Sequence, residues 1–311
     1  MATELQNYLD PKVLGRIQRL DLRTRLIVEG FISGMHRSPF HGLSVEFAQH
    51  REYVPGDDIK HVDWKVWSRT DRYYIKQYEE ETNLRATFVV DGSESMRYAG
   101  PGRAGAGLTK FHYAASVAAS LALLLLRQQD AVGLATFDSQ LRAYVPPSAN
   151  PNQIKTVVHE LESTPLEAKT DLEPICHNLA EKIERRGLVC LVSDLFVDVD
   201  GLIRGLQHLA HKGHDLIVLH ILDEDELDFP FQGNTMFRGM EATGELVVEP
   251  RSLRDGYMEA LGGFLAEVKR RAIANRVDYR LISTADHLGA ALAGFLAARA
   301  EAVKKGGSKR R

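Results

Sequence analysis

The sequence predicts an α/β protein built on a doubly wound, mostly parallel sheet, preceded by an N-terminal extension that contains β structure. Three observations predict it. From about Arg85 onward, short apolar runs alternate with longer helical patterns, which is the rhythm of βα units. Two of those runs close on a carboxylate, at Asp91 and Asp194, and strand ends are where such sheets gather ligands. Before Arg85 the rhythm is missing, and turn-forming Pro55-Gly56-Asp57-Asp58 lies near alternating apolar residues instead.

Residues 1–84 are read as the extension, 85–303 as the sheet domain and 304–311 as a basic flexible tail. In the extension, Val45, Phe47 and Tyr53 alternate as on a half-buried strand. Arg51, Asp63, Trp64, Arg69, Lys76 and Glu79-Glu80-Glu81 form a dense polar set, expected to clasp the extension to the sheet through Arg–carboxylate pairs. Strands are expected over 87–91, 131–137, 188–194, 216–222 and 279–283, with an edge strand over 141–145 after the short turn Asp138-Ser139-Gln140. Helical patterns cover 110–129, 151–162, 172–186, 199–212, 253–275 and 287–303. Pro151 suits a first helical turn, and Gly187 and Gly213 suit helix ends. Between 223 and 250 the pattern breaks. The acidic run Asp223-Glu224-Asp225-Glu226 reads as a solvated face, and Thr243-Gly244 as the turn of a hairpin near the metal-bearing edge.

With 311 residues and 44% hydrophobic content, the chain is long enough to bury a substantial core. A net charge of −3 and scattered aromatics argue against a nucleic-acid-binding module. The two cysteines, Cys176 and Cys190, fall in a helical pattern and a buried strand, so two core thiols are expected and no disulfide. The N-terminus shows charged residues without an apolar block, and the apolar stretch 114–126 is shorter than the ~20 residues needed to cross a bilayer. A cytoplasmic protein without a membrane span is therefore expected.

The chemistry concentrates in Asp91-Gly92-Ser93-Glu94-Ser95, directly after the apolar run 86–90. One carboxylate and two hydroxyls in a tight turn suit a hard cation such as Mg²⁺, with Mn²⁺ as an alternative. Thr170-Asp171, opening a helix, and Ser193-Asp194, closing a strand, supply further oxygens. If the two Asp-bearing strands are neighbours at the switch point, Asp91, Ser93, Ser95, Thr170 and Asp194 surround one ion and leave a position for water or a partner's carboxylate.

That string, with its later Thr and later Asp, resembles the metal-ion-dependent adhesion site of a von Willebrand factor A domain. Glycines often precede the Thr in that family; here Glu167-Ala168-Lys169 do, giving the second loop a different shape. The block before it carries Arg51-Glu52-Tyr53-Val54-Pro55-Gly56-Asp57-Asp58, Val62-Asp63-Trp64 and Glu79-Glu80-Glu81. Together they are similar to the family called domain of unknown function 58. That resemblance implies a metal-site adaptor or cochaperone partnered with a MoxR-type AAA+ ATPase, acting on a client protein that supplies a carboxylate.

Enzyme templates fall behind. No G-x-S-x-G elbow, Walker A loop, H-E-x-x-H pair or four-Cys zinc pattern occurs. His208, His211 and His214 read as a solvated basic face. A non-catalytic protein is expected, with a metal-dependent hydrolase using Asp91 and Asp194 as the alternative.

Overall fold

The structure is a computed structural model that describes residues 10–14, 17, 19–35, 50–53, 64–70, 72–76, 84–100, 108–167, 169–233, 235–239 and 244–296. The chain divides into two compact units, residues 1–34 with 84–311 and residues 35–83. The first half runs through α1 (Pro11–Leu14), α2 (Leu20–Met35), β1 (His50–Glu52), α3 (Trp64–Thr70), β2 (Tyr74–Lys76), β3 (Arg85–Asp91), α4 (Lys110–Arg127), β4 (Ala131–Phe137) and β5 (Leu141–Ser148). Then follow α5 (Gln153–Ser163), α6 (Leu172–Lys182), β6 (Leu188–Ser193), α7 (Val199–His211), β7 (Asp215–Leu222) and α8 (Glu224–Asp228). The chain continues with β8 (Thr235–Arg238), β9 (Glu245–Val248), α9 (Pro250–Ala274) and β10 (Asp278–Ser283), and a last helix is described over 288–296.

In the larger unit six strands pair in the order β10-β7-β6-β3-β4-β5. All neighbours are parallel except β4 and β5. That exception follows from the connection: residues 138–140 are too few for a crossover helix, so the chain can only turn back. The chain leaves β3 through α4 toward β4 and later lays β6 against the other side of β3. This is the switch point, and it makes the Asp91 and Asp194 strand ends neighbours, the condition for a site shared between them.

Helix α4 is buried on nearly all sides, because it lies on the sheet and α5 flanks it. Its apolar stretch is thus an interior helix. On this face Phe88 packs against Phe295, ring centroids 6.0 Å apart. On the other face Val89, Leu191 and Val218 meet Cys176 and Leu179 of α6, Leu206 of α7 and Val268 of α9. Helix α2 joins this unit through Arg23, which donates to the Ser116 hydroxyl at 3.1 Å, and through the Leu20 amide, which donates to Glu162 at 2.9 Å.

Several element ends differ from the sequence reading. Helix α5 begins at Gln153, leaving Pro151 in the preceding turn. Helix α6 stops at Lys182, so Gly187 ends no helix; it lies where an added Cβ would stand 2.3 Å from the Arg85 carbonyl oxygen. Gly213 does follow α7 as expected, in the left-handed region at φ +89. Helix α9 starts at Pro250, using proline in the first turn where its missing N–H does no harm. The acidic run is not a solvated face: Asp223 and Asp225 are buried. Asp223 caps α8 by accepting from the Asp225 amide at 3.0 Å, while Glu226 accepts from the Asp223 amide at 2.7 Å. Thr284 also donates to Asp223, at 2.9 Å. Strands β8 and β9 form the expected antiparallel hairpin; Thr243 lies outside the described residues. His214 is buried, His208 is half-buried and meets the His177 imidazole, and His211 is exposed, so the three histidines share no solvated face. Cys176 and Cys190 are free, buried thiols.

In the smaller unit β1 and β2 pair antiparallel, and Trp67 stacks on Tyr73 with centroids 6.0 Å apart. Of the expected strand and clasp, Val45, Phe47, Asp63 and Glu79 to Glu81 lie outside the described residues, as does the tail 304–311.

Candidate metal centre

Strand β3 delivers Asp91 to the carboxyl edge of the sheet, and Gly92 turns the chain there. Its amide donates to the Phe137 carbonyl at 2.6 Å, and a Cβ at Gly92 would stand 2.7 Å from the Thr164 methyl. A glycine answers that close approach. A 3-10 turn over Glu94–Arg97 then folds the two serines back, leaving the Ser93 and Ser95 hydroxyl oxygens 3.0 Å apart.

Asp91 is fully buried and surrounded by donors. Its Oδ1 accepts from the Ser93 amide at 2.9 Å and from the Thr170 hydroxyl at 3.1 Å; its Oδ2 accepts from the Ser193 hydroxyl at 2.5 Å. Burial, and then the nearby Asp194 charge, raise the Asp91 pKa from 3.8 to about 7, against the pull of the Ser193 and Ser93 donors.

Asp194 follows the end of β6, just before Leu195, a non-glycine residue held at φ +55. Such backbone strain clusters at functional turns. Asp194 Oδ2 accepts from the Lys110 ammonium at 2.8 Å, and its Oδ1 from the Phe196 amide at 3.4 Å. Lys110, the first residue of α4, also donates to Glu226 at 2.7 Å. Burial works against its charge, but the Asp194 and Glu226 carboxylates outweigh burial and hold its pKa above the ordinary value. The Glu226 pKa is raised by burial, with Lys110 opposing.

The structure thus gathers Asp91, Ser93, Ser95 and Thr170. It brings Asp194 near enough to act on Asp91 electrostatically, yet gives its carboxylate to Lys110. Two participants escaped the sequence reading, Lys110 and Glu226, while Ser193, named there with Asp194 as a source of oxygens, was left out of the set around the ion; its signal is that it closes the strand paired with β3. Lys110 carries another, as a lone cation opening an otherwise apolar helix. A carboxylate with hydroxyl neighbours is a hard oxygen set, which fits Mg²⁺ or Mn²⁺ in kind. Among the described residues no group of three or more His, Cys, Asp or Glu is placed to hold a metal, so a cation here depends on the hydroxyls. Beside Thr170 opens a cavity of about 710 Å³, walled by Ser139, Lys169, Phe196, Val197 and Phe264.

The profile of the family described as "Protein of unknown function DUF58" matches residues 49–262. The chain belongs to this family. The DUF58 chain is 24% identical over 266 residues to an uncharacterized protein of Mycobacterium tuberculosis, covering 84% of this chain and 81% of the relative. It is similar in structure to BatB from Bacteroides thetaiotaomicron, with TM-score 0.46, 16% identity, and 71% and 99% of the two chains covered. An aerotolerance-related membrane protein from Bacteroides fragilis gives TM-score 0.42 at 15% identity, over 67% and 94% of the chains. The SpRpn10 von Willebrand factor A domain gives 0.37 at 14%, over 68% and 94%. The fold of the DUF58 chain is α/β by its own topology, a mostly parallel six-stranded sheet with helices on both faces.

The expected cytoplasmic location is withdrawn, because one of these similar structures is of a membrane protein. Among the described residues no helix is long and apolar enough to cross a membrane. That observation, like an N-terminus without an apolar block, assigns no compartment, since a folded sheet domain sits equally well beside a bilayer.

Proposed function

We propose that this protein is a non-catalytic binding module that holds Mg²⁺, or Mn²⁺ in its place, at the Asp91 cluster and captures a carboxylate of a client protein there. The partner we propose is a MoxR-type AAA+ ATPase, on the family resemblance, with this chain as adaptor or cochaperone. The observation that carries the reading is the surround of Asp91: one buried carboxylate at the switch point with the Ser193 and Thr170 hydroxyls on it and the Ser93–Ser95 pair beside it. Asp91 and the hydroxyls of Ser93, Ser95 and Thr170 would hold the ion, and the bound ion would supply residual positive charge. A partner carboxylate complements that charge. Thr170 and Phe196 line the adjoining cavity, which gives such a segment a place to lie.

A hydrolase needs a base poised beside the ion. The second carboxylate near Asp91 is Asp194, and Lys110 engages it, which favours binding over chemistry. The test is calorimetry with Mg²⁺ on wild type and Asp91→Ala, followed by capture of a purified MoxR-type ATPase with metal or with chelator. Wild type is expected to bind the ion and to retain the ATPase only with metal, and Asp91→Ala to do neither. Full-strength capture by Asp91→Ala would sink the metal bridge.

A further inference from the structure

Lys110 is 1% exposed, and its ammonium meets two carboxylates at once, Asp194 at 2.8 Å and Glu226 at 2.7 Å. It has little freedom to leave. The Lys110 amide donates to the Tyr98 carbonyl at 2.9 Å, and the Thr109 hydroxyl caps the same helix by accepting from the His112 amide at 3.1 Å. The Phe196 ring centroid lies 5.0 Å from the ammonium and that of Tyr98 5.9 Å, so aromatic walls stand close on it.

We propose that Lys110 is a built-in competitor for the divalent ion, holding Asp194 and keeping the resting ion affinity of the Asp91 cluster low. This inference rests on the metal reading above and adds a control element to it. Two facts carry it. The carboxylate that the sequence pattern assigns to the ion is already neutralised by a buried cation of this chain. The same ammonium has a second anionic partner, so when Asp194 turns toward an ion, Glu226 still satisfies Lys110. A buried ammonium stripped of all partners would be strongly disfavoured, and Glu226 removes that penalty. The arrangement therefore has two states: Asp194 with Lys110 and weak ion binding, or Asp194 with the ion and tight binding. A partner that contacts α8 or Phe196 acts directly on the choice between them.

A purely structural Lys110 makes the opposite prediction. If the ammonium only positions Asp194 for the ion, losing it weakens binding; if it competes, losing it tightens binding. The experiment is calorimetric titration of the full chain with Mn²⁺, comparing wild type, Lys110→Gln, Glu226→Gln and Asp91→Ala, with circular dichroism to verify folding. Lys110→Gln is expected to bind about tenfold tighter or more, since a like charge has left the neighbourhood of the ion. Glu226→Gln, which leaves Lys110 wholly to Asp194, is expected to bind more weakly. Wild type that binds Mn²⁺ alongside a Lys110→Gln variant that binds equally or less overturns this inference and leaves the metal reading standing. No binding by either wild type or Lys110→Gln overturns the metal reading, and this inference with it. Should Lys110→Gln fail to fold, Glu226→Gln decides: weaker binding supports competition, and equal or tighter binding overturns it.

Discussion

Replacing Asp91 by asparagine removes a charge that the fold buries unfavourably, and the pH dependence of that cost follows from its causes. Burial first, and Asp194 second, lift the folded pKa to about 7 from 3.8. A carboxyl raised in the folded state stabilises below its unfolded pKa, loses that contribution as pH rises through the folded value, and changes nothing further above it. At about 1.36 kcal/mol per pH unit, the window from 3.8 to about 7 removes roughly 4 kcal/mol from the metal-free protein. Asparagine keeps the shape and sheds the charge, but with its oxygen held by the Ser93 amide its NH2 faces Ser193, whose hydroxyl must turn from donating to accepting. Allowing about 1–3 kcal/mol for imperfect pairing, Asp91→Asn is expected to gain about 2 kcal/mol at pH 8 in chelator. The assay is urea unfolding at pH 4, 6 and 8, and the gain should turn into a loss of about 1–3 kcal/mol toward pH 4, where the charge no longer costs anything and only the imperfect pairing remains. Mg²⁺ at a hundred times its Kd should then raise wild type by about 2.7 kcal/mol and leave Asp91→Asn unmoved. A variant less stable than wild type at pH 8 in chelator, or a difference independent of pH, refutes the reasoning.

Two further outcomes test the packing. Gly205 lets α7 close on α6, since a Cβ there would stand 2.8 Å from Cys176 Cβ. Gly205→Ala is expected to lose about 1–3 kcal/mol by overpacking, more than the ~1 kcal/mol that alanine gains in helix propensity. Equal or higher stability in a urea titration would show that the two helices separate freely. Burial pushes the Cys176 thiol up to about 12 and the Cys190 thiol higher still. Both should therefore resist a thiol-specific chromophoric reagent in the native protein and react together in denaturant. Rapid labelling of either in the native state would contradict the buried placement.

Local patterns made much of this protein readable. The apolar runs before Asp91 and Asp194 are short, bounded by turn residues and followed by helical periodicity, so strand identity and the parallel sheet follow from period and length alone. The D-x-S-x-S turn is contiguous, so its clustering needed only the strand that carries it. Helix ends were less legible: α6 stops at Lys182 although the helical pattern runs on to Arg186, because tertiary packing decides where a weak end frays. The acidic run was misread for a related reason. Four consecutive acids look solvated until Asp223 caps α8, Thr284 donates to it and Lys110 reaches Glu226.

Sequence by itself determined the α/β class, the strand that ends in Asp91, the Ser93 and Ser95 hydroxyls that follow it and two cysteines without a disulfide, because each depends on residues a few positions apart. Only the tertiary structure decided what surrounds the second carboxylate. Lys110 lies 84 positions from Asp194 and 116 from Glu226, and nothing local joins them. The order of strands in the sheet brings the end of β6, the start of α4 and the cap of α8 to one edge, and a buried ammonium there must find its counter-charges.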